Sequence, residues 1–369
     1  MTLQRVVLQR RVIKLAVGCL VSLAGLSLGG VAAAQDWTCP EGYEGQSLSI
    51  YNWTTYIAED TVSNFEKLCD VSVTYDTFPT DDDMLARIRQ GNPGYDVVVP
   101  SATTLTTMIA EGLVEPIDKA NIPNFANVDR TFAGLPFDPD NSYSVPYQWG
   151  TIGIGYNREA VGGDITTWDD VFSYDGAVSW LEDVRPMLGV GLLKLGYDPN
   201  SSNPGEVNEA KDYLVDNSAN VVYINQDDGQ EVLVRGEADI VVEYSGDIFQ
   251  IIDECECDTY AYVIPEDGAN FWIDNLAVPV DAPNPALAEV FMDYILDAQV
   301  GADISNYTAY GSPNTAATEA GLIDAELLAD PGIYPSEETR AGLFFVEQDA
   351  EREELYNQAW DELRIFVGE

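Results

Sequence analysis

The chain has 369 residues, with 63 acids against 17 bases, no histidine and a formal net charge of −46. A field of that sign repels nucleic acid and anionic lipid head groups and attracts cations, so a nucleic-acid-binding role is set aside. The absence of histidine removes the commonest general base and any Ser-His or Cys-His nucleophile pair. Acids at this density also keep a protein soluble and monomeric in concentrated salt, so most of them are read as solvated surface and a monomer is expected.

Residues 1–34 begin with Arg5, Arg10, Arg11 and Lys14 and no acid. They continue through an apolar run broken by Gly18, Gly25, Gly29 and Gly30, and end in Ala32-Ala33-Ala34. That order predicts an export signal cleaved after Ala34, and hence a periplasmic protein. The apolar run is short for the roughly 20 residues that a spanning helix requires. Cys19 follows Lys14 too closely for a lipoprotein signal. What remains is long enough for two lobes of roughly 100–200 residues each.

Four cysteines follow: Cys39, Cys69, Cys255 and Cys257. An even count in an exported chain predicts disulfides. Cys39 precedes the first predicted strand and Cys69 the second, and neighbouring parallel strands bring their starts together, which favours a Cys39–Cys69 bond. Cys255 and Cys257 either close a tight loop, stay reduced or bind metal. Zinc is least favoured, because histidine is absent and Cys-x-Cys is not the usual ligand spacing. No metal or cofactor is expected.

A short buried strand is predicted at 48–53, an amphipathic helix at 59–68, a strand at 71–75, a helix at 82–90 and a strand at 95–100. Alternation at this spacing argues for βαβ units, an α/β fold and a mostly parallel sheet flanked by helices. Ligands in such sheets bind beyond the carboxyl ends of the strands. That places Trp53-Thr54-Thr55-Tyr56 and Ser101-Ala102-Thr103 at a site. The segment 143–156, rich in Gly, Tyr and Trp, reads as a crossing between lobes. A second α/β set follows: a helix at 184–195, a strand at 221–224, and an apolar run at 240–242 leading into Glu243-Tyr244-Ser245-Gly246-Asp247. Residues 260–265 come next, and 271–279 read as a second crossing; helices dominate the remainder.

No Gly-rich phosphate loop with a following Lys is present, and Gly153-Ile154-Gly155 alone is too weak to indicate a nucleotide. Among 63 acids, a carboxylate pair of a hydrolase has no distinguishing signal. An aromatic ring beside a short acid or hydroxyl recurs at three strand ends: Trp53-Thr54-Thr55-Tyr56, Tyr244-Ser245-Gly246-Asp247 and Trp272-Ile273-Asp274. Rings that cover methylenes and face cationic nitrogens, with carboxylates to take the ammonium protons, suit an alkyl diammonium ligand. Individually, each ring also reads as a core aromatic, and Asp247 and Asp274 as caps or turn formers.

Six stretches, in this order and spacing, resemble the periplasmic spermidine- and putrescine-binding proteins of bacterial ABC importers. They are SIYNWTTYIAEDTVSNFEK (49–67), YDVVVPSA (95–102), PYQWGTIGIGYN (146–157), KLGYDPNSSNP (194–204), FWIDNLAVP (271–279) and YGSPNTAA (310–317). The resemblance implies a type II periplasmic-binding-protein fold: two α/β lobes joined by crossing strands and closing on a ligand in the cleft between them. It also implies a polyamine ligand and, as partners, the transmembrane permease and ATPase subunits of an importer. The lobes are expected at 35–150 with a return at 272–318, and at 151–271 with C-terminal helices at 319–369.

The same resemblance implies the site. Trp53, Thr54 and Tyr56 match the aromatic and hydroxyl wall of the first lobe. Thr103 stands where putrescine-type proteins have serine and spermidine-type ones tyrosine. Tyr244 matches a tryptophan of the second lobe, and Asp247 an aspartate of the putrescine type. Trp272 and Asp274 match the ring and acid of the second crossing, and Tyr310 a tyrosine near the cleft. Three departures stand out. Asp183-Val184-Arg185-Pro186 occupies the place of Asp-x-Arg-Glu, so an acid is lost at Pro186, with Glu182, Asp183 or Glu243 as replacements. Thr55 stands where the putrescine type has an aspartate. A polar residue of the C-terminal region falls at Glu347 or Gln348. Thr103 and Asp247 favour putrescine or a similar diamine over spermidine. The alternatives are another cationic or zwitterionic solute on the same fold and, from a different class, a carboxylate-dependent hydrolase, which is disfavoured.

Overall fold

The run Ser144–Asn157 forms one 14-residue strand, buried along nearly its whole length. Its first half pairs antiparallel with Asn270–Ala277, from Ser144 opposite Ala277 to Ile152 opposite Asn270. The register shifts between Pro146 and Gln148, where proline has no N–H to give to the ladder. Its second half pairs with Ile240–Tyr244 and Tyr260–Val263. The structure is a computed structural model and describes residues 37–255, 257–347 and 350–367. The export segment 1–34 and Gln348 lie outside the described residues.

Ten strands are described: β1 (Ser47–Trp53), β2 (Ser72–Phe78), β3 (Val97–Val98), β4 (Ser144–Asn157), β5 (Val178–Leu181), β6 (Val221–Asn225), β7 (Ile240–Tyr244), β8 (Tyr260–Val263), β9 (Asn270–Ala277) and β10 (Phe344–Phe345). Their order is β2-β1-β3-β9-β4-β7-β5-β6, with β10 on β9 and β8 on β4. Parallel pairing joins β1 to β2 and β3 at one end and β5 to β6 and β7 at the other, while the long β4 and β9 run between these groups. Both predicted crossings are therefore strands. The predicted strand at 95–100 shrinks to Val97–Val98, and the chain leaves the sheet at Val99 and enters a helix at Ala102.

Two apolar cores flank this pair of long strands. One gathers Leu48, Ile50, Phe65, Val97, Val145, Leu276 and Phe291. The other gathers Ile154, Trp168, Trp180, Leu188, Ile240, Tyr356 and Leu363. β4 supplies Val145 and Tyr147 to the first and Ile152, Ile154 and Tyr156 to the second. Tyr244 and Trp272 pack against both. The last helix, Ala350–Val367, joins the second core through Tyr356, Trp360 and Leu363, whereas Ile323, Leu327 and Tyr334 pack around Ala302 and Ala317.

Cys39 and Cys69 form a disulfide with a Cα separation of 5.2 Å, tying the segment ahead of β1 to the end of the helix Thr61–Cys69. Cys255 and Cys257 form a second one, closing the end of the helix Ser245–Cys255. The first spans 30 residues and the second two. Loop-closure entropy then predicts that Cys39→Ser lowers unfolding free energy by about 3–4 kcal/mol and Cys255→Ser by about half of that or less. Denaturant titrations of the two variants check the ranking, and an equal loss contradicts it.

Candidate functional site

A cavity of about 210 Å³ opens where the carboxyl ends of β1, β3, β5, β6 and β7 meet β9. All ten predicted site residues line it: Trp53, Thr54, Tyr56, Thr103, Asp183, Tyr244, Asp247, Trp272, Asp274 and Tyr310. Four of them form an aromatic wall of edge-on contacts, with ring centroids 5.2 Å apart for Tyr56 and Tyr310, 5.1 Å for Trp272 and Tyr310, and 5.8 Å for Tyr244 and Trp272. Two glycines make room for it. A Cβ at Gly246 would lie 2.5 Å from the Tyr310 ring, and one at Gly150 would lie 2.7 Å from that of Trp272. Trp53 is held from below by its indole N–H, which donates to the Val99 carbonyl at 2.9 Å.

Asp183 occupies the N-cap of the helix Val184–Lys194, yet its side chain makes no cap bond. The local sequence explains this. An N-cap carboxylate accepts from the N–H two or three residues on, and the third position is Pro186, which has none. Asp183 faces the cavity instead and accepts a hydrogen bond from the Tyr244 hydroxyl at 3.2 Å. Of the other two replacements weighed for the lost acid, Glu182 is bound by Arg364 and by Gln226. Glu243 is fully buried and accepts from the backbone N–H of Tyr244 and of Gly229, both at 2.9 Å. Thr55 is exposed, in the turn after β1, at a φ of +51°. Glu347 is exposed and pairs with Arg352, and the cavity is met in this region by Phe345, Val346, Glu353 and Asn357.

Asp81 and Asp227, which no sequence pattern marks, also line the cavity. Asp81 begins the helix Asp81–Arg89, where its charge also reads as an ordinary first-turn acid. Its carboxylate accepts from the Ser101 hydroxyl and backbone N–H, and the Ser101 hydroxyl in turn meets that of Thr103 at 2.8 Å. Asp227 lies in the turn after β6 at a φ of +62°, and the Thr54 hydroxyl donates to it across the cavity mouth at 3.4 Å.

These acids form two groups. Asp81, Asp183 and Asp274 act on one another electrostatically, Asp274 being held on β9 by a backbone bridge to Ser101. In the second group, one carboxylate oxygen each of Asp227, Glu243 and Asp247 lies within 4.8 Å of the others. Three hard oxygen donors in that space suit a small cation, metallic or organic. Burial is the main cause that raises every one of these groups. It pushes Asp81 up to about 6 against the hydrogen bonds from Ser101, Asp183 up to about 7 with help from Asp81, and Asp247 up to about 6 against the bond from Tyr310. Asp274 is raised well above the usual range by burial and then by Asp81, Asp227 by burial and Asp247, and Glu243 by burial and Asp227. Arg185 is the basic residue among those described as lining the cavity. Its guanidinium lies 3.9 Å over the Tyr356 ring and donates to Asn200. The Trp272 indole N–H is buried without a hydrogen-bond partner, and the buried Tyr56 hydroxyl lies against the Asp274 carboxylate. Such a site holds carboxylates and rings in excess of cations, and a cation is the ligand that satisfies it.

Among the described residues, no helix is long and apolar enough to cross a membrane. The chain matches the profile of the bacterial extracellular solute-binding proteins over residues 60–334. It is 33% identical, over 93% of its own length and 96% of the relative, to a putrescine-binding periplasmic protein of Pseudomonas aeruginosa. It is 32% identical, over 87% of its length and 90% of the relative, to a spermidine/putrescine-binding periplasmic protein of Escherichia coli. Among solved structures, a putative spermidine/putrescine ABC transporter from Listeria monocytogenes superposes with a TM-score of 0.81 at 32% identity, covering 87% of this chain and 99% of that one.

An unfolded aspartate titrates near about 3.9, below the values to which burial raises Asp81, Asp183 and Asp247. Between the two, the folded state keeps protons that the unfolded state has lost, so stability falls as pH rises. Thermal unfolding of the ligand-free protein is expected to show a falling Tm between about pH 4 and 7, and Asp183→Asn is expected to flatten that slope. A flat Tm profile for the unmodified protein contradicts the assignment.

Proposed function

The chain belongs to the bacterial extracellular solute-binding proteins, and from that premise we propose that it captures a polyamine for an ABC importer, with putrescine or a similar diamine favoured over spermidine. The observation that carries this reading is the cavity itself. Asp81, Asp183, Asp227, Asp247 and Asp274 line it around a wall of four rings, and among the described lining residues they face one basic group, Arg185, which acts on Asp183. An alkyl diammonium supplies what those groups lack. Its methylenes lie against Tyr56, Trp272 and Tyr310, its nitrogens meet ring faces worth about 0.5–2 kcal/mol each, and its N–H groups donate to the carboxylates. The names of the relatives, putrescine- and spermidine/putrescine-binding, support the ligand class.

In this reading the protein binds without catalysis, acts as a monomer in the periplasm after removal of the signal ending at Ala34, and presents its closed form to the permease and ATPase subunits. The lobes are residues 35–150 with 272–318, and 151–271 with C-terminal helices from 319–369. The last of these, Ala350–Val367, packs on the second core, while Ile323, Leu327 and Tyr334 pack around Ala302 and Ala317 of the first lobe's return segment. The two cores on either side of β4 and β9 support that division. Capture draws the lobes together, because Trp53, Thr54 and Tyr56 belong to one side of the cavity and Asp183, Tyr244 and Asp247 to the other.

Titration with putrescine, cadaverine, agmatine and spermidine, followed by tryptophan fluorescence from Trp53 and Trp272, tests the reading; silence towards all four amines defeats it. Asp274→Asn and Asp247→Asn are each expected to weaken putrescine binding tenfold or more, since a charge-assisted bond in a closed cleft is worth about 1.5–3 kcal/mol. Unchanged affinity in both variants, with melting curves like the parent's, contradicts their placement.

A further inference from the structure

We propose that Gln148 is a positioning residue for ligand capture: its buried side-chain amide locks the Tyr56 backbone to the turn that presents Tyr310, and so fixes two rings of the aromatic wall against each other. The inference rests on the polyamine reading and deepens it by naming a residue outside the cavity lining that sets the cavity's shape.

Tyr147 is the extra residue where the β4–β9 register shifts: Pro146 stands opposite Asn275 and Gln148 opposite Asp274. A bulge of this kind re-aims side chains that a regular strand sends to alternate faces. Here two consecutive residues reach one acceptor. The Tyr56 carbonyl takes the Tyr147 hydroxyl at 2.6 Å and Gln148 Nε2 at 3.3 Å. The other end of the amide, Oε1, accepts from the Thr308 hydroxyl at 2.6 Å. A carbonyl on one side and a hydroxyl on the other give the amide a single orientation. Gln148 is only 1% exposed and Thr308 is fully buried, so these bonds are shielded from water, where each is stronger and an unmade one costs more.

Thr308 ends the helix Ala298–Thr308, and the chain turns at Ala309, whose φ of +57° is uncommon for a residue with a side chain. Such a backbone persists only where its surroundings over-determine it. The Thr308 hydroxyl is held by Gln148, and the Thr308 carbonyl accepts from Gln250 Nε2 at 3.1 Å. The Tyr310 carbonyl accepts from the Ser305 hydroxyl at 2.6 Å, and Trp149 and Gly311 exchange two backbone bonds at 3.0 and 2.9 Å. Tyr310 leaves this turn with its ring 5.2 Å from that of Tyr56 and 5.1 Å from that of Trp272, and its hydroxyl on Asp247. Gln250 and Asp247 both belong to the helix Ser245–Cys255, so the turn is also where that helix meets the return segment. Of these contacts, the one made by Gln148 also reaches Tyr56, which makes it the tie between the two rings.

Calorimetric titration of the full chain with putrescine, beside thermal melts of the ligand-free protein, tests the assignment in Gln148→Met, Thr308→Val, Thr308→Ser and the double variant Gln148→Met/Thr308→Val. Methionine keeps the length of the side chain and orphans no buried group: the Tyr56 carbonyl retains the Tyr147 hydroxyl, and the Thr308 hydroxyl retains the Ile304 carbonyl at 2.9 Å. Gln148→Met is therefore expected to melt like the parent, yet to bind putrescine about three- to tenfold more weakly, with a similar loss in Thr308→Val. The double variant is expected to lose no more than the weaker single one, because both act through one bond. Thr308→Ser keeps the hydroxyl and is expected to recover most of the affinity. Parent-like affinity in both single variants overturns the proposal, as do additive losses in the double variant or a Thr308→Ser as weak as Thr308→Val. Should Gln148→Met fail to fold, the comparison of Thr308→Val with Thr308→Ser decides alone. A parent that binds no amine overturns the underlying polyamine reading instead.

Discussion

Carboxylates buried together in excess of cations are the constraint on which the rest of this structure depends. Asp247 and Asp274 are only 6% exposed and Glu243 is fully buried. Burial raises Asp81, Asp183, Asp227, Asp247 and Asp274 on the cavity wall and Glu243 beside Asp227 and Asp247 in the same direction. Removing a charge from water costs several kcal/mol unless a partner meets it. Ordinary folding selects against such an arrangement, and a binding protein retains it because the ligand is the partner. The capping defect at Pro186 belongs to the same logic. A proline that cannot donate an N–H removes one of the two cap bonds open to Asp183, and its carboxylate turns to the cavity, where it accepts from Tyr244.

The long antiparallel pair β4–β9 makes that arrangement possible. It carries Trp272 and Asp274 on one strand and Gly150, which makes space for the indole, on the other. Each of the flanking strand groups then needs to contribute only its carboxyl-end loops. Tyr244 and Trp272 pack against both cores, so two of the rings that line the cavity are also surfaces on which the two halves of the molecule meet. A cation drawing carboxylates inwards from both sides acts on the same contacts that closure requires, and the Thr54–Asp227 bond across the mouth is formed at that seam.

The rings were legible in the sequence because each sits next to a strand end with a hydroxyl or acid at short spacing. Trp53 and Tyr244 end β1 and β7, where the sheet rule puts a ligand, whereas Trp272 lies inside the crossing strand β9 and is marked by the family resemblance. The crossing strands were legible as long extended runs rich in Gly, Tyr and Trp. The acids were not legible in the same way. Asp81 lies in Thr80-Asp81-Asp82-Asp83, a normal opening for a helix, and Asp227 lies in Gln226-Asp227-Asp228-Gly229, a normal turn. Only the tertiary fold brings Asp227 to Thr54, 173 positions away in sequence. Glu182 shows the converse: it resembles Asp183 in sequence but is neutralised by Arg364 from the last helix, a pairing that no local pattern announces. The brevity of β3 has a similar origin, since Ser101 caps the following helix and bridges to Asp274, which ends the strand early.

The central claim is that a bound diamine is the missing counter-charge of this cavity. Groups held partly or wholly protonated in the empty cleft must then ionise as the ligand enters, and the released protons go to the buffer. Calorimetric titration of putrescine near pH 7, repeated in buffers of different ionisation enthalpy, measures that release directly. The account predicts a net release of protons on binding that is reduced in Asp183→Asn; binding with no proton exchange would contradict it.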